Sequence, residues 1–277
     1  MMASESHQDV IFEQRERVGW IILNRPETLN ALHPTLIAQI RSLLDSLRED
    51  TDIGSLVITG AGRGFSSGAD LNWLQGIPPE RIDARGFMEP FHSLARMLQN
   101  YPKSLIAAVN GVAAGGGMSL ALLCDIAIAS KSASFTASFV RIGLVPDLGL
   151  AYTLPRLVGE ARARELMLTG RIVRADEALA LGLVSRIVPD EELPATVQQI
   201  AGAIAGNSAF ALDRIRALAT LAGSTDFDNF LRVEASMQGE CLTSEEHKRR
   251  LAEFMKRQSE RRQGRSEQIS HEKVERS

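Results

Sequence analysis

The segment from Leu105 to Cys124 is almost wholly apolar and is long enough to cross a bilayer as one helix. It contains Asn110-Gly111, a dipeptide typical of turns, and then the three consecutive glycines Gly115–Gly117. A membrane-spanning helix would be interrupted at both places. A buried strand, a glycine-rich loop and a buried helix account for the same residues, so we expect no membrane span.

The same alternation of elements extends along much of the chain. The apolar runs Ser55–Gly60, Leu105–Val109 and Ile126–Ala129 predict buried strands, and Met118–Leu123 predicts a helix between two of them. Such alternation indicates an α/β fold. We expect a core over residues 1–195, a helical C-terminal region over 196–262 and a disordered tail over 263–277, where apolar residues are few.

Composition excludes several classes of partner. The chain has 277 residues, 44% of them hydrophobic, which is enough for a sizeable core, and its formal net charge of -3 indicates no affinity for nucleic acid or anionic membranes. Its two cysteines, Cys124 and Cys241, form neither a metal-ligand cluster nor a disulfide framework. The N-terminal residues lack a basic region followed by an apolar run. We therefore expect a cytoplasmic protein without a metal site.

Two glycine-rich segments are the candidate ligand site. They are GRGFSSGADL, at Gly62–Leu71, and NGVAAGGG, at Asn110–Gly117, and each follows the carboxyl end of a predicted buried strand. Ligands bind at such ends in open α/β sheets, and glycine lets the backbone approach them with its N–H groups free. Two such amides converging on one oxygen form an oxyanion hole. The alternative is that both segments are ordinary tight turns.

With their flanks, these segments closely resemble the crotonase (enoyl-CoA hydratase/isomerase) family over about residues 10–258. The motifs that carry the resemblance are Leu23–Leu32 (LNRPETLNAL), the GFSSGADL within the first glycine-rich segment, Ala107–Asp125, Gly143–Gly149 (GLVPDLG) and Thr169–Pro189. The resemblance implies a ββα spiral core with a helical C-terminal region. It also implies an acyl-CoA thioester substrate, no separate cofactor beyond the coenzyme A of the substrate, and a homotrimer or hexamer.

Several residues match positions with a role in the family. Ala69, after the glycine of GAD, and Gly116, the middle glycine of the triplet, match the two oxyanion-hole amides. The positions that match the family's coenzyme A path are Leu29, Ala31, Ser67 and Leu71, with Phe254 and Arg257 on the C-terminal helix.

The sequence departs from the hydratases of this family at both glutamate positions that activate water. Ser119 stands two residues after the glycine triplet, and Phe139 stands four residues before the glycine of the GLVP segment. A serine is not a base at neutral pH without help, and phenylalanine does not titrate. Hydration by two glutamates is therefore not expected.

Asp147 is the candidate base, because it is the only acidic residue between Asp125 and Glu160. Its apolar neighbours disfavour the carboxylate and raise its pKa. One carboxylate suffices to shift a double bond, since it takes a proton from one carbon and returns it two bonds away. An aspartate in this loop resembles phenylacetate-pathway-type enoyl-CoA isomerases, whereas the alternative is a turn aspartate following Pro146.

We therefore predict a 3-enoyl-CoA to 2-enoyl-CoA isomerase, and four alternatives stay open. Gly64–Gly68 matches the G-x-S-x-G elbow of serine hydrolases, although no strand runs directly into it. The strand, glycines and helix of Ala107–Leu123 are compatible with a dinucleotide-binding protein, without the G-x-G-x-x-G spacing. An atypical enoyl-CoA hydratase or dehydratase, and a non-catalytic acyl-CoA-binding protein of the same fold, are the other two.

Overall fold

The computed structural model describes residues 8–259 except 79 and 81. The chain divides into two compact units, residues 1–209 and 210–277. The predicted tail, 263–277, lies outside the described residues. Within the described part of the chain, no helix is long and apolar enough to cross a membrane.

The first unit contains a six-stranded sheet in the order β1-β2-β3-β5-β7-β10. Only β1 and β2 pair in antiparallel fashion, and the other neighbours are parallel. These strands are β1 (Val10–Arg15), β2 (Val18–Leu23), β3 (Ser55–Gly60), β5 (Ser104–Val109), β7 (Ile126–Ser130) and β10 (Arg186–Val188). The three predicted buried strands are therefore confirmed as β3, β5 and β7.

A second sheet of four short strands is arranged in the order β4-β6-β8-β9. These strands are β4 (Gly64–Ser66), β6 (Val112–Ala114), β8 (Ser134–Thr136) and β9 (Val173–Arg174). Each of β3, β5 and β7 is followed within a few residues by a strand of this second sheet, so the chain winds repeatedly from one sheet to the other. The predicted ββα spiral is confirmed. The sequence analysis took β4 and β6 for loop, because three residues are too few for an alternation to be recognised.

The helices complete the spiral and form the second unit. They are α1 (Pro34–Leu47), α2 (Leu71–Gln75), α3 (Ala84–Gln99), α4 (Gly116–Leu122), α5 (Leu150–Val158), α6 (Glu160–Thr169), α7 (Ala175–Leu181), α8 (Leu193–Ala205), α9 (Ala209–Leu221), α10 (Phe227–Thr243) and α11 (245–259). Pro34 begins α1, where its missing N–H costs little. The helices α6 and α7 end at Gly170 and Gly182, and both glycines have a left-handed backbone conformation.

The large sheet is buried on both faces, and this decides where the first unit ends. Leu56 and Ile58 of β3 belong to the main core, whereas Val57 faces a second core that includes Val197 and Ala201 of α8. Alternate residues of a strand point to opposite faces, so α8 covers one face of the sheet along β2, β3, β5 and β7. The predicted division into a core that ends at residue 195 and a helical region that follows it stays a prediction. In the structure, the first compact unit extends to Ala209 because α8 packs on the sheet.

The helix α4 packs so closely against the second sheet that its glycines are needed. All seven of its residues are buried. A Cβ added to Gly117 would lie 2.3 Å from the backbone oxygen of Ser66, at the end of β4. A backbone carbonyl at this distance cannot turn aside as a flexible side chain does, so the helix would have to shift.

We predict that Gly117→Ala lowers the free energy of unfolding by about 1–3 kcal/mol, because the added methyl overlaps the Ser66 carbonyl. The matched control is Gly202→Ala in α8, where a Cβ meets nothing within 4 Å. That change should raise stability by about 0.5–1 kcal/mol, since alanine is the better helix former. Urea unfolding followed by circular dichroism measures both, and equal effects of the two changes would contradict the close approach.

Candidate active site

Ala69 has a backbone amide that is free to bind a ligand. The N–H of Leu32 donates to the carbonyl of Gly68 at 2.6 Å, and the N–H of Asp70 donates to the carbonyl of Leu32 at 2.9 Å. This pair forms a parallel bridge between Leu32 and Ala69, in which the N–H of Ala69 itself faces away from Leu32. Among the described residues, the N–H of Ala69 makes no hydrogen bond.

Gly116 brings a second free amide to the same place. It is the first residue of α4, where helix geometry leaves the backbone N–H without a partner inside the helix. Its nitrogen lies 3.2 Å from the point that a Cβ on Gly68 would occupy. The two glycine-rich segments meet because β4 and β6 are neighbouring parallel strands, so their carboxyl ends lie at one edge of the sheet.

Asp147 lies beside Gly116. A Cβ added to Gly116 would be 3.4 Å from Oδ1 of Asp147 and 3.2 Å from Cδ1 of Leu32. This Oδ1 is buried and has no hydrogen-bond partner among the described residues. Burial raises the pKa of Asp147 to about 6, and the nearby backbone N–H of Asp147 itself has a smaller effect in the opposite direction. The carboxyl group is therefore close to half protonated in mildly acidic solution.

A tight turn holds Asp147 in this position. Leu148 has a φ of 48° and is fully buried, and Gly149 follows with a φ of 76° at the start of α5. The backbone carbonyl of Asp147 accepts the N–H of Leu150 at 2.9 Å, so the turn is closed by a main-chain hydrogen bond and not by the carboxyl group. The side chain of Leu148 is anchored in the core, and the neighbouring carboxyl group lies next to the free amide of Gly116.

The two positions at which the hydratases carry glutamates have other occupants here. The hydroxyl of Ser119 donates to the carbonyl of Gly115 at 3.2 Å and is fully buried. Phe139 is buried, and its Cε1 lies 3.8 Å from the point that a Cβ on Gly115 would occupy. This side of the glycine triplet is therefore lined by an aromatic ring, and no carboxyl group stands at either position.

The segments predicted to line the coenzyme A path lie against each other. The N–H of Ser67 donates to the carbonyl of Leu29, and its hydroxyl donates to the carbonyl of Thr28, both at 2.8 Å. Leu29 and Asn30 both have positive φ, so the chain turns sharply there. The buried side chain of Asn30 donates to the carbonyl oxygen of Gly64 at 2.8 Å and ties this turn to β4.

The other predicted coenzyme A residues differ in exposure. Ala31 is buried, whereas Leu71, the first residue of α2, is 58% exposed. Phe254 and Arg257 lie in α11 of the second unit and are both exposed, and their three-residue spacing puts them on one face of that helix. The binding role of all six positions remains a prediction.

Arg25 is a site residue that the sequence analysis missed. Its Nη1 donates to Oδ2 of Asp70 at 2.8 Å and to the carbonyl of Ala31 at 2.9 Å. Asp70 in turn caps α2 by accepting the N–H groups of Asn72 and Trp73. Burial by itself would raise the pKa of Asp70, but these hydrogen bonds and the Arg25 charge together lower it. The motif contained Arg25, yet nothing in the sequence pairs it with a residue 45 positions away.

The serine-hydrolase alternative finds no support at its predicted nucleophile. The hydroxyl of Ser66 is fully buried, donates to the carbonyl of Asn30 at 2.8 Å and accepts the N–H of Gly68 at 3.3 Å. It therefore joins two backbone segments instead of facing a histidine. Within the described residues, no three histidine, cysteine or acidic side chains are grouped so that they could hold a metal ion.

Comparison with known proteins identifies the class. The family model described as enoyl-CoA hydratase/isomerase matches residues 13–267, and the chain belongs to this family, the crotonases. The fold agrees, since the structure of an enoyl-CoA hydratase from Bacillus anthracis superposes with a TM-score of 0.86 at 30% identity. The match covers 90% of this chain and 97% of that one. The protein is therefore an enzyme of the crotonase family.

Individual relatives bear the names of different activities. A crotonyl-CoA hydratase of Syntrophomonas wolfei is 34% identical, over 91% of this chain and 96% of its own length. A 1,2-epoxyphenylacetyl-CoA isomerase of Escherichia coli is 38% identical, over 86% of this chain and 92% of its own. Hydratase and isomerase names both occur at this level of identity, so the reaction has to be argued from the residues.

The raised pKa of Asp147 predicts a pH-dependent cost in stability. The folded protein binds a proton at Asp147 below pH about 6, whereas the unfolded chain does so only below the ordinary value of 3.8. Stability therefore falls as the pH rises from about 4 to about 6, and this contribution is constant above that window. We expect Asp147→Asn to be more stable than the wild type by about 1–3 kcal/mol at pH 8 and equally stable at pH 4. Urea unfolding at the two pH values measures this, and an Asn variant that is less stable at pH 8 would refute a buried, unpaired carboxylate.

Proposed function

We propose that this protein is an enoyl-CoA isomerase that moves a double bond from the 3,4 to the 2,3 position of an acyl-CoA thioester. The observation that carries the proposal is the buried, unpartnered Oδ1 of Asp147 beside the free amide of Gly116. An isomerase of this kind needs one proton carrier and one group of donors for the thioester oxygen. Asp147 supplies the proton carrier and the amides of Ala69 and Gly116 supply the donors, so no second carboxylate is needed.

In the proposed reaction, the thioester oxygen accepts hydrogen bonds from the N–H groups of Ala69 and Gly116. The Asp147 carboxylate removes a proton from C2 of the 3-enoyl group, and the electron pair moves onto the thioester oxygen to give a dienolate. The carboxyl group then returns the same proton to C4, and the 2,3 double bond forms. No atom is gained or lost.

The pKa of Asp147 suits both halves of this cycle. A value of about 6 leaves the group mainly ionised at neutral pH, so it is ready to take the first proton. It is also a stronger base than an exposed aspartate, because its surroundings solvate the charge poorly. The returning proton has a short path, since the same oxygen faces the site throughout.

Hydration is the second candidate, and it is favoured by the hydratase names of relatives such as the one from Syntrophomonas wolfei. Water activation would have to rely on Asp147 alone, because the hydroxyl of Ser119 is held by a carbonyl and Phe139 is apolar. The isomerase name of the Escherichia coli relative supports the first proposal. The position of Phe139 beside Gly115 supports it too, since an aromatic ring there disfavours an ordered water.

We predict that Asp147→Asn lowers kcat for isomerisation at least 10²-fold and changes acyl-CoA affinity by less than about threefold, because the base is lost and the amides remain. The assay follows the absorbance of the conjugated 2-enoyl thioester formed from a 3-enoyl-CoA. The matched control is Asp52→Asn, an exposed aspartate that should leave both constants unchanged. In the wild type, kcat/KM should rise with pH through about 6, as Asp147 loses its proton.

Other outcomes decide between the alternatives. Loss of absorbance from a 2-enoyl-CoA, abolished by Asp147→Asn, would identify a hydratase with a single carboxylate. Tight acyl-CoA binding without either reaction would identify a binding protein of the same fold. Isomerisation that survives in Asp147→Asn would remove Asp147 from the mechanism.

We further propose that the chain forms a homotrimer or a hexamer, as its family resemblance implies. The support is that the C-terminal helices α9 and α10 contain no buried residue. They expose large apolar side chains, among them Ile215 at 61% and Phe227 at 72%. Exposed apolar residues of this kind mark association surfaces.

Size-exclusion chromatography with light scattering should give three or six times the mass of one chain. Replacing Phe227 and Ile215 together by serine should weaken the association, because the apolar contact area is reduced. The matched control is Leu168→Ser, which alters one exposed leucine of the first unit. A monomer at micromolar concentration would contradict the proposal.

A further inference from the structure

The guanidinium of Arg25 joins two segments of the candidate site that are far apart in sequence. One Nη1 atom donates both to Oδ2 of Asp70 and to the backbone carbonyl of Ala31. The side chain is mostly buried, with 17% of its surface exposed. The backbone of Arg25 is fixed as well, because its N–H donates to Oδ1 of Asn30 and its carbonyl accepts the N–H of Asn30, both at 2.8 Å. The guanidinium is therefore held from a rigid turn.

The carboxylate that Arg25 holds belongs to the residue directly after Ala69. The N–H of Asp70 is bonded to Leu32, and its Oδ1 accepts the N–H groups of Asn72 and Trp73 at the start of α2. The Ala69 N–H belongs to the preceding peptide, whose Gly68 carbonyl accepts the N–H of Leu32. The segment from Gly68 to Asp70 is thus fixed on the Leu32 side by both bonds of the bridge and on the α2 side by the cap. Arg25 is the cation that keeps the buried carboxylate ionised in this arrangement.

Removing this cation would affect the direction of the Ala69 amide. A buried carboxylate that has lost its cationic partner either takes up a proton or turns toward solvent. Both changes weaken its hydrogen bonds to the N–H groups of α2. The backbone at Asp70, next to Ala69, is then no longer fixed to the start of α2. The carbonyl of Ala31 would also lose the donor that fixes its plane.

We propose that Arg25 is a positioning residue for the oxyanion hole, which aligns the Ala69 N–H by clamping the Asp70 carboxylate and the Ala31 carbonyl together. The inference rests on the proposed function only in taking the Ala69 N–H as a donor to the thioester oxygen. Arg25 does not touch the substrate in this proposal, since both bonds of its Nη1 atom are made to the protein.

The clamp should matter more in the transition state than in substrate binding. Charge develops on the thioester oxygen as the enolate forms, and a misaligned amide stabilises that charge poorly. We expect Arg25→Gln to lower kcat about 10–100-fold, with KM changed by less than about threefold. A loss of folded protein would also lower the apparent kcat with KM unchanged, so kcat is calculated from the concentration of folded sites, measured by acyl-CoA titration.

A spectroscopic test reports on the amide without any turnover. The probe is para-dimethylaminocinnamoyl-CoA, whose thioester carbonyl ends a conjugated chromophore and whose absorption moves to longer wavelength when hydrogen bonds polarise that carbonyl. At saturation, we expect a red shift with the wild type and with Asp147→Asn, and most of that shift should be lost in Arg25→Gln. Arg25→Lys should give an intermediate shift, because lysine keeps the charge without the planar geometry of the guanidinium. Arg164→Gln, which breaks an exposed ion pair with Glu160, is the matched control and should keep the full shift.

The double variant Arg25→Gln/Asp70→Asn keeps the test valid if the single variant folds poorly. Removing the Asp70 charge eliminates the buried, unpaired carboxylate, so the double variant should recover thermal stability while the red shift stays reduced. A full red shift in folded Arg25→Gln, or in the double variant, would overturn the inference. A wild type that binds the probe without any shift would also overturn it, because the oxyanion hole itself would then be absent.

The two proposals fail in different ways. If the wild type shows a red shift that Arg25→Gln loses, but converts no 3-enoyl-CoA, the proposed isomerase is wrong and the role of Arg25 stands. If isomerisation is intact in the wild type and the shift is insensitive to Arg25, the isomerase stands and the role of Arg25 is wrong.

Discussion

The parallel pairing of β4 and β6 is the contact on which the candidate site depends. Each strand has three residues, and each ends just before one of the two free amides, at Ala69 and Gly116. Parallel neighbours end at the same edge of a sheet, so the pairing by itself brings the amides together. Short strands make few hydrogen bonds, and their position is secured by the close packing of α4 against Ser66.

That packing explains the glycines of this region in physical terms. A Cβ on Gly68 would lie 2.6 Å from the carbonyl of Ala114, and one on Gly117 would lie 2.3 Å from that of Ser66. Gly68 also has a φ of 88°, which side-chain-bearing residues rarely adopt. The backbone segments around Gly68 and Gly117 therefore lie in direct contact with the backbone of Ala114 and Ser66. The geometry that exposes the two amides leaves no room for side chains around them.

The setting of Asp147 joins function to a cost in stability. Leu32 and Leu148 lie beside Gly116 together with the carboxyl group, so the group that would carry the proton is poorly solvated. The fold tolerates this because the tight turn at Leu148 and Gly149 holds the backbone of the loop. Ser119 and Phe139 occupy both family glutamate positions, and Asp147 is a titratable group that lies against the glycine triplet. A member of this family with one carboxylate at this position suits a reaction in which one proton leaves and returns.

Much of the architecture could be read from the sequence, because it depends on local pattern. Continuous apolar runs identified β3, β5 and β7, and the ordered motifs pointed to the ββα spiral. What only the tertiary structure decided are contacts between distant segments: the strands β4 and β6, the packing of α8 on the sheet, and the clamp of Arg25 on Asp70 and Ala31. Local pattern reports which face of an element is apolar, whereas these contacts depend on strand order and on how the chain returns from one sheet to the other. Asp147 shows the same difference. Its apolar neighbours in the sequence suggested it as the base, whereas its place beside Gly116 depends on the assembly of the sheet and α4.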